Sequence, residues 1–150
     1  MIILLRGVFL KKLNLGSGRK KLDGYINIDI NSNSSPNIVR DIEKGLPFGD
    51  SSVDEVFSEH FLEHISDIDF VMFEIWRVLK TGCLVKTIVP INKGLFNSPY
   101  HKTFFCEKSW LFFTSWNIKE DSGYDFKFIS SKVVGSGFEE ELHFTLEVVK

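Results

Sequence analysis

Hydrophobic positions follow two different rhythms along the chain. In the first part, apolar residues come in short runs broken by glycine, asparagine and aspartate. Residues 12–15, Lys-Leu-Asn-Leu, read as a short strand stopped by Gly16-Ser17-Gly18. Residues 25–30 read as a second strand whose closely spaced apolar side chains predict burial on both faces, as in a parallel sheet. Residues 37–41 give a weaker third strand. Residues 53–58 give a fourth, after the turn Pro47-Phe48-Gly49-Asp50. The clearest helix is predicted over residues 66–80, where Ile68, Val71, Met72, Ile75 and Leu79 form one stripe at helical spacing. Ser66 is its expected cap and Gly82 its expected stop. Residues 84–89 form an apolar strand ended by Pro90, and residues 107–116 another predicted helix.

The tail changes to period two. Tyr124, Phe126 and Phe128 alternate with polar neighbours, and so do Leu142, Phe144, Leu146 and Val148. Strands with one covered face have this signature, and Gly135-Ser136-Gly137 lies between them as a turn. The expected fold is α/β, a Rossmann-like three-layer sandwich whose mostly parallel sheet is closed by a C-terminal antiparallel hairpin. The polar stretch of residues 31–36 is too short for a linker, so residues 1–150 are expected to form a single domain.

Charge and cysteine content narrow the function classes. Eighteen basic and twenty acidic residues leave a net charge of −2, which argues against a nucleic-acid module on bulk charge. Cys83 and Cys106 stand far apart with no CxxC pairing, so a disulfide scaffold is not expected and a reducing, cytoplasmic setting is. The apolar run at residues 1–10 is interrupted by Arg6 and is too short to span a bilayer. It is expected to pack on the core as a strand or helix.

Candidate chemistry starts at the Gly16-Ser17-Gly18 turn, directly after a strand, where glycine lets a ligand approach the backbone. A dinucleotide fingerprint would need a third glycine at position 21, where Lys21 stands, and no Walker loop occurs. Asp29 ends the second strand, where a carboxylate can accept from both hydroxyls of a ribose. Asp41 follows the third strand and could accept from an adenine amine, with the Ile42 amide nearby.

Together these blocks resemble the class I S-adenosylmethionine-dependent methyltransferases, and more narrowly the small methyltransferase-11-like type. The matching blocks are residues 13–18 (Leu-Asn-Leu-Gly-Ser-Gly), 24–29 (Gly-Tyr-Ile-Asn-Ile-Asp), Asp41, 46–54, 58–65 and 74–82, in one order. The resemblance implies S-adenosylmethionine as cofactor and S-adenosylhomocysteine as product. It places Gly16, Ser17 and Gly18 at the methionine and ribose, Asp29 on the ribose hydroxyls, and Asp41 and Ile42 at the adenine edge. Ser58 and Glu59 would lie beside the sulfonium. Asn14 stands where the family often has an acid; its amide oxygen can still accept a hydrogen bond. Lys20 stands where a third glycine is common.

Methyl transfer from a sulfonium needs mainly alignment, and a base only if the acceptor loses a proton early. Candidate bases are His60 and His101, with Tyr100 as a positioning group. The expected acceptor is a small molecule or glycan-type metabolite, with no nucleic acid and no membrane span. Two alternatives stand beside this reading. One is an inactive S-adenosylmethionine-binding regulatory or assembly protein. The other is a zinc hydrolase using His60-x-x-Glu63-His64, which would require both histidines on one helix face; no metal is assigned to the site in the preferred reading. Trp110, Phe112, Phe113 and Trp116 read either as an acceptor platform or as a helix packed on the sheet. Residues 19–21, Arg-Lys-Lys, read as solvated surface or as a contact for an anionic acceptor.

Overall fold

The computed structural model describes residues 10–114 and 123–150. Seven strands form one sheet: β1 (Lys12–Leu15), β2 (Ile26–Asp29), β3 (Ile38–Val39), β4 (Val53–Glu59), β5 (Leu79–Pro90), β6 (Asp125–Val134) and β7 (Glu141–Val149). Their order is β3-β2-β1-β4-β5-β7-β6. β1, β2, β3, β4 and β5 pair in parallel, whereas β7 runs antiparallel to both β5 and β6. This is the mostly parallel sheet with a terminal antiparallel hairpin expected from the two rhythms. The strand order reverses between β1 and β4, which marks the carboxyl ends of these strands as the binding edge.

The two rhythms have a direct packing cause. In β7, Leu142, Phe144, Leu146 and Val148 are buried while their neighbours are partly exposed, so one face is covered. In β1, Leu13, Asn14 and Leu15 are buried in succession, which places both faces inside. α1 (Ile68–Val78) packs against the sheet with Val71, Met72, Ile75 and Val78 buried. Glu74 is also buried on α1, accepting from Leu46 N at 2.7 Å and paired with Arg77. This pair clamps the loop before β4, since Arg77 also donates to Phe48 O and Asp50.

Several local expectations are corrected. The cap of α1 is Asp67, whose carboxylate accepts from Phe70 N at 3.0 Å, and not Ser66. α1 ends at Val78 and the chain enters β5 directly, so Gly82 does not stop a helix. It lies in an irregularity of β5, with φ +77°, where Val53 pairs with Leu79 but Glu55 already pairs with Leu84. A bulge of this kind favours glycine because a side chain strains the left-handed conformation. Residues 107–116 do not form an α-helix over their described part. A 3-10 helix covers Ser109–Phe113, and Trp116 lies outside the described residues. So does the predicted packing of residues 1–9. Among the described residues, α1 is the one α-helix; the β2–β3 and β3–β4 links carry only 3-10 turns at Ser32–Ser34 and Ile42–Lys44. Among the described residues, the layers that flank the sheet are thus thin.

Candidate functional site

The site is built on the turn that follows β1. Gly16 has φ +64° and Gly18 φ +48°, conformations that L side chains adopt at a cost. Ser17 N donates to Ile28 O at 3.0 Å, which ties the turn to β2. Asp29, the last residue of β2, locks it further: its Oδ2 accepts from Gly18 N at 2.8 Å and its Oδ1 from Asn31 N at 2.7 Å. A carboxylate offers about four lone-pair sites, so two backbone donors fix its orientation and leave acceptor capacity on each oxygen.

The two glycines have different jobs. A Cβ on Gly16 would lie 2.4 Å from the Phe61 ring, so Phe61 closes over that residue. A Cβ on Gly18 would meet nothing within 4 Å, so the space above it is open. That space belongs to a cleft of about 440 Å³, a size usual for small-molecule sites. Gly16, Gly18, Asp29, Asp41, Ile42 and His60 all line it. Six residues singled out in the sequence therefore converge on one cavity at the carboxyl edge of the sheet. Asp41 also caps the 3-10 turn after β3, accepting from Glu43 N at 3.1 Å, and Ile42 is buried beside it.

Other predicted residues stand outside the lining. Asn14 is buried and its amide donates to Asn27 Oδ1 at 2.8 Å and to Lys20 O at 3.1 Å. It braces the glycine turn from below. Ser17 is buried, and its Oγ has no partner among the described residues. Ser58 Oγ lies 3.2 Å from Thr87 Oγ1, bridging β4 and β5. Glu59 pairs with Lys20, which ties that one residue of the basic cluster to the end of β4. His101 donates from Nδ1 to Leu95 O at 2.9 Å and is likewise not part of the cleft lining.

His60 differs from the free base expected. It has φ +52°, an unusual conformation for a non-glycine residue. Its Nδ1 donates to Glu63 Oε1 at 3.2 Å and its Nε2 to Glu141 Oε1 at 2.7 Å. The Glu63 bond raises its pKa to about 9, against the opposing effect of burial and with further support from Glu141. Near neutral pH the ring is therefore a cation with both N–H groups engaged. Only Leu62–His64 forms a helical turn here, a 3-10 one, so His60 and His64 do not share a helix face. The premise of the His60-x-x-Glu63-His64 hydrolase reading is absent.

The sequence did not single out Phe61, Ile65 or Lys102 as cleft residues, yet each lines it, as does His64. Lys102 reaches the cleft because Lys102 N and Thr103 N both donate to Glu63 O, at 2.7 and 3.1 Å, and Thr103 Oγ1 donates to Ile65 O at 2.7 Å. The loop after β5 is thereby laid across the turn after β4. The available signal was the placement of residues 100–105 after the fifth strand, but its docking partner was not readable from periodicity. The aromatic segment packs on the hairpin instead: Trp110 stacks on Phe128 at 3.8 Å between ring centroids, and Phe113 is buried near Phe144.

The residues present fit an adenosine-bearing sulfonium cofactor. The oriented Asp29 carboxylate has spare acceptor capacity, the space over Gly18 is open, and Asp41 lines the same cleft with apolar Ile42 and Ile65.

Residues 16–85 match the profile of the methyltransferase domain family Methyltransf_11. No curated protein matches the sequence. Among solved structures, the fold is shared with a Methanosarcina mazei S-adenosylmethionine-dependent methyltransferase at 17% identity and a TM-score of 0.68, covering 93% of this chain and 92% of that one. It is shared with a chain from the complex of the Haloferax volcanii Trm112 methyltransferase activator and a candidate methyltransferase, at 15% identity and a TM-score of 0.71, covering 93% and 82%. A third similar fold is the [4+2]-cyclase SpnF, at 12% identity and a TM-score of 0.70, covering 93% and 75%. At these identities the structures show the fold alone.

Proposed function

We propose that the chain is a class I S-adenosylmethionine-dependent methyltransferase that methylates a small molecule or glycan-type acceptor held over the turn after β4, a reading supported by the methyltransferase-domain match over residues 16–85. S-adenosylmethionine supplies an activated methyl group on a sulfonium. The chain's own residues do the rest. Asp29 accepts from the ribose hydroxyls, Asp41 and Ile42 bound the adenine end, and Gly16 and Gly18 give the backbone close access. Phe61 closes over Gly16 and helps to exclude water from the inner wall. His60, held as a cation between Glu63 and Glu141, is a fixed positive group on the acceptor side and not a proton acceptor. Alignment of the reactants is then the main source of rate.

One observation carries the reading: Asp29, oriented by Gly18 N and Asn31 N, shares a single cleft with Asp41 and both glycines. Calorimetric titration with S-adenosylhomocysteine tests it. The wild type is expected to bind at one site. Asp29→Ala is expected to lose about tenfold to hundredfold in affinity, or about 1.4–2.7 kcal/mol, the worth of hydrogen bonds to a charged acceptor. Unchanged binding by that variant would overturn the ribose assignment.

The engagement of both His60 nitrogens favours one second reading, a regulatory protein that binds the cofactor without turnover. Transfer of labelled methyl to any member of an acceptor panel would refute it.

A further inference from the structure

Beyond the cofactor cleft, we propose that Glu63, His64 and His101 form a binding site for a divalent transition metal of the zinc class. Their ligand atoms, one from each side chain, all lie within 4.8 Å of one another. Bonds of about 2.0–2.2 Å to nitrogen and carboxylate oxygen place tetrahedral ligands roughly 3.3 Å apart. Small side-chain rotations close that difference.

The second observation is the state of Glu63. Its residue is fully buried, and its Oε2 has no hydrogen-bond partner among the described residues. A buried carboxylate oxygen without a partner is costly. The other oxygen, Oε1, accepts from the His60 ring. A cation beside the carboxylate supplies what the protein leaves unmade.

The surroundings of the two histidines point the same way. His101 Nδ1 lies 2.9 Å from Leu95 O, and His64 Nδ1 lies 3.3 Å from Tyr100 O. A carbonyl oxygen only accepts, so Nδ1 carries the proton in both rings. With Nδ1 engaged in this way, Nε2 is the ring nitrogen left to ligate a metal. Metal-bound histidines are held in this way, with the second ring nitrogen donating to a carbonyl or carboxylate. The rings already approach edge-on, with centroids 5.0 Å apart. All three ligands therefore have an outer partner: His60 for Glu63, Tyr100 O for His64, and Leu95 O for His101.

The ligands are also brought together by the backbone. Lys102 N and Thr103 N bond to Glu63 O, which docks the loop carrying His101 onto the turn carrying Glu63 and His64. Nitrogen and carboxylate donors suit zinc over magnesium or calcium, which prefer all-oxygen shells. Three protein ligands leave a fourth tetrahedral position, and His64 also lines the cleft. The site is not the His60-x-x-Glu63-His64 arrangement: His60 holds the carboxylate from outside, and His101 comes from a distant part of the chain.

The test is titration of the full 150-residue protein with zinc chloride by calorimetry near neutral pH, with cobalt(II) as a spectroscopic reporter. The wild type is expected to take up one zinc, and the cobalt form to show the intense visible bands of tetrahedral nitrogen–oxygen coordination. Glu63→Gln, His64→Ala and His101→Ala are each expected to weaken zinc at least about tenfold to hundredfold, whereas His143→Ala is expected to bind as the wild type does. Absence of zinc uptake by the wild type overturns the site, whatever the variants' folding. So does unchanged affinity in His64→Ala and His101→Ala. S-adenosylhomocysteine is titrated separately, so retained binding of it without zinc uptake sinks the metal site and leaves the cofactor cleft standing.

Discussion

At the scale of single residues, the two glycines of the turn after β1 allow stability and binding to be separated. Both have positive φ, so alanine at either position is strained by about 1–2 kcal/mol. At Gly16 the new Cβ would also overlap the Phe61 ring at 2.4 Å. Gly16→Ala is therefore expected to lose roughly 2–4 kcal/mol of stability, through strain plus displacement of a packed ring. Gly18→Ala meets no atom within 4 Å and is expected to lose about 1 kcal/mol. Gly18 lines the cleft, so the main effect of this substitution should be weaker S-adenosylhomocysteine binding. Urea unfolding and calorimetry on the same two variants check this. Equal stability losses would show that Phe61 does not close over Gly16.

At the scale of elements, α1 is fixed by more than its apolar stripe. Glu74 is buried on its inner face and bonded to Arg77 and to Leu46 N. The Arg77 hydrogen bond holds the Glu74 carboxyl below its ordinary pKa, against the opposing effect of burial and with help from Leu46 N. A carboxylate with a depressed folded pKa stabilises above its unfolded value of 4.5 and loses that contribution as pH falls through the lower folded value. Thermal stability is thus expected to fall as acidity rises from about pH 4.5 downward. Glu74→Gln, which cannot titrate, should be less stable at neutral pH by about 3 kcal/mol and should lose less than the wild type on acidification. Melting curves across that range check both statements; parallel curves for the two proteins would remove Glu74 from the account. The same element shows what the sequence could and could not tell. The stripe at Val71, Met72 and Ile75 identified the helix because burial on one face leaves a period. Its end was misplaced because the chain passes from α1 into β5 without a loop, and Gly82 serves a strand irregularity that has no periodic trace. The site was legible to the extent that it is local: the glycine turn and Asp29 lie within one strand-turn-strand unit. The cluster of Glu63, His64 and His101 was not, because it depends on two loops joined by the Lys102 and Thr103 amides.

At the scale of the whole molecule, the single sheet couples the hairpin to the cleft. β7 lies between β5 and β6, and Leu146 on β7 is fully buried, paired in register with Val85 and Phe128. β5 in turn pairs with β4, whose carboxyl end leads into His60 and Phe61. The described residues hold one α-helix, so the two halves are joined mainly through the strand pairing of the sheet. Leu146→Ala should therefore cost about 2–5 kcal/mol as a core truncation. It should also lower the stability of the cleft by the same amount, although Leu146 does not line it. The expected signature is one shared unfolding transition, seen alike by tryptophan fluorescence and by loss of S-adenosylhomocysteine binding. Ligand linkage gives the complementary result. S-adenosylhomocysteine at about one hundred times its dissociation constant should add about 2.7 kcal/mol to the wild type and to Leu146→Ala equally. Its native-state affinity would then be unchanged by the mutation. Two separate transitions, with the hairpin melting first and the cleft still binding, would show that β6 and β7 form an independent unit.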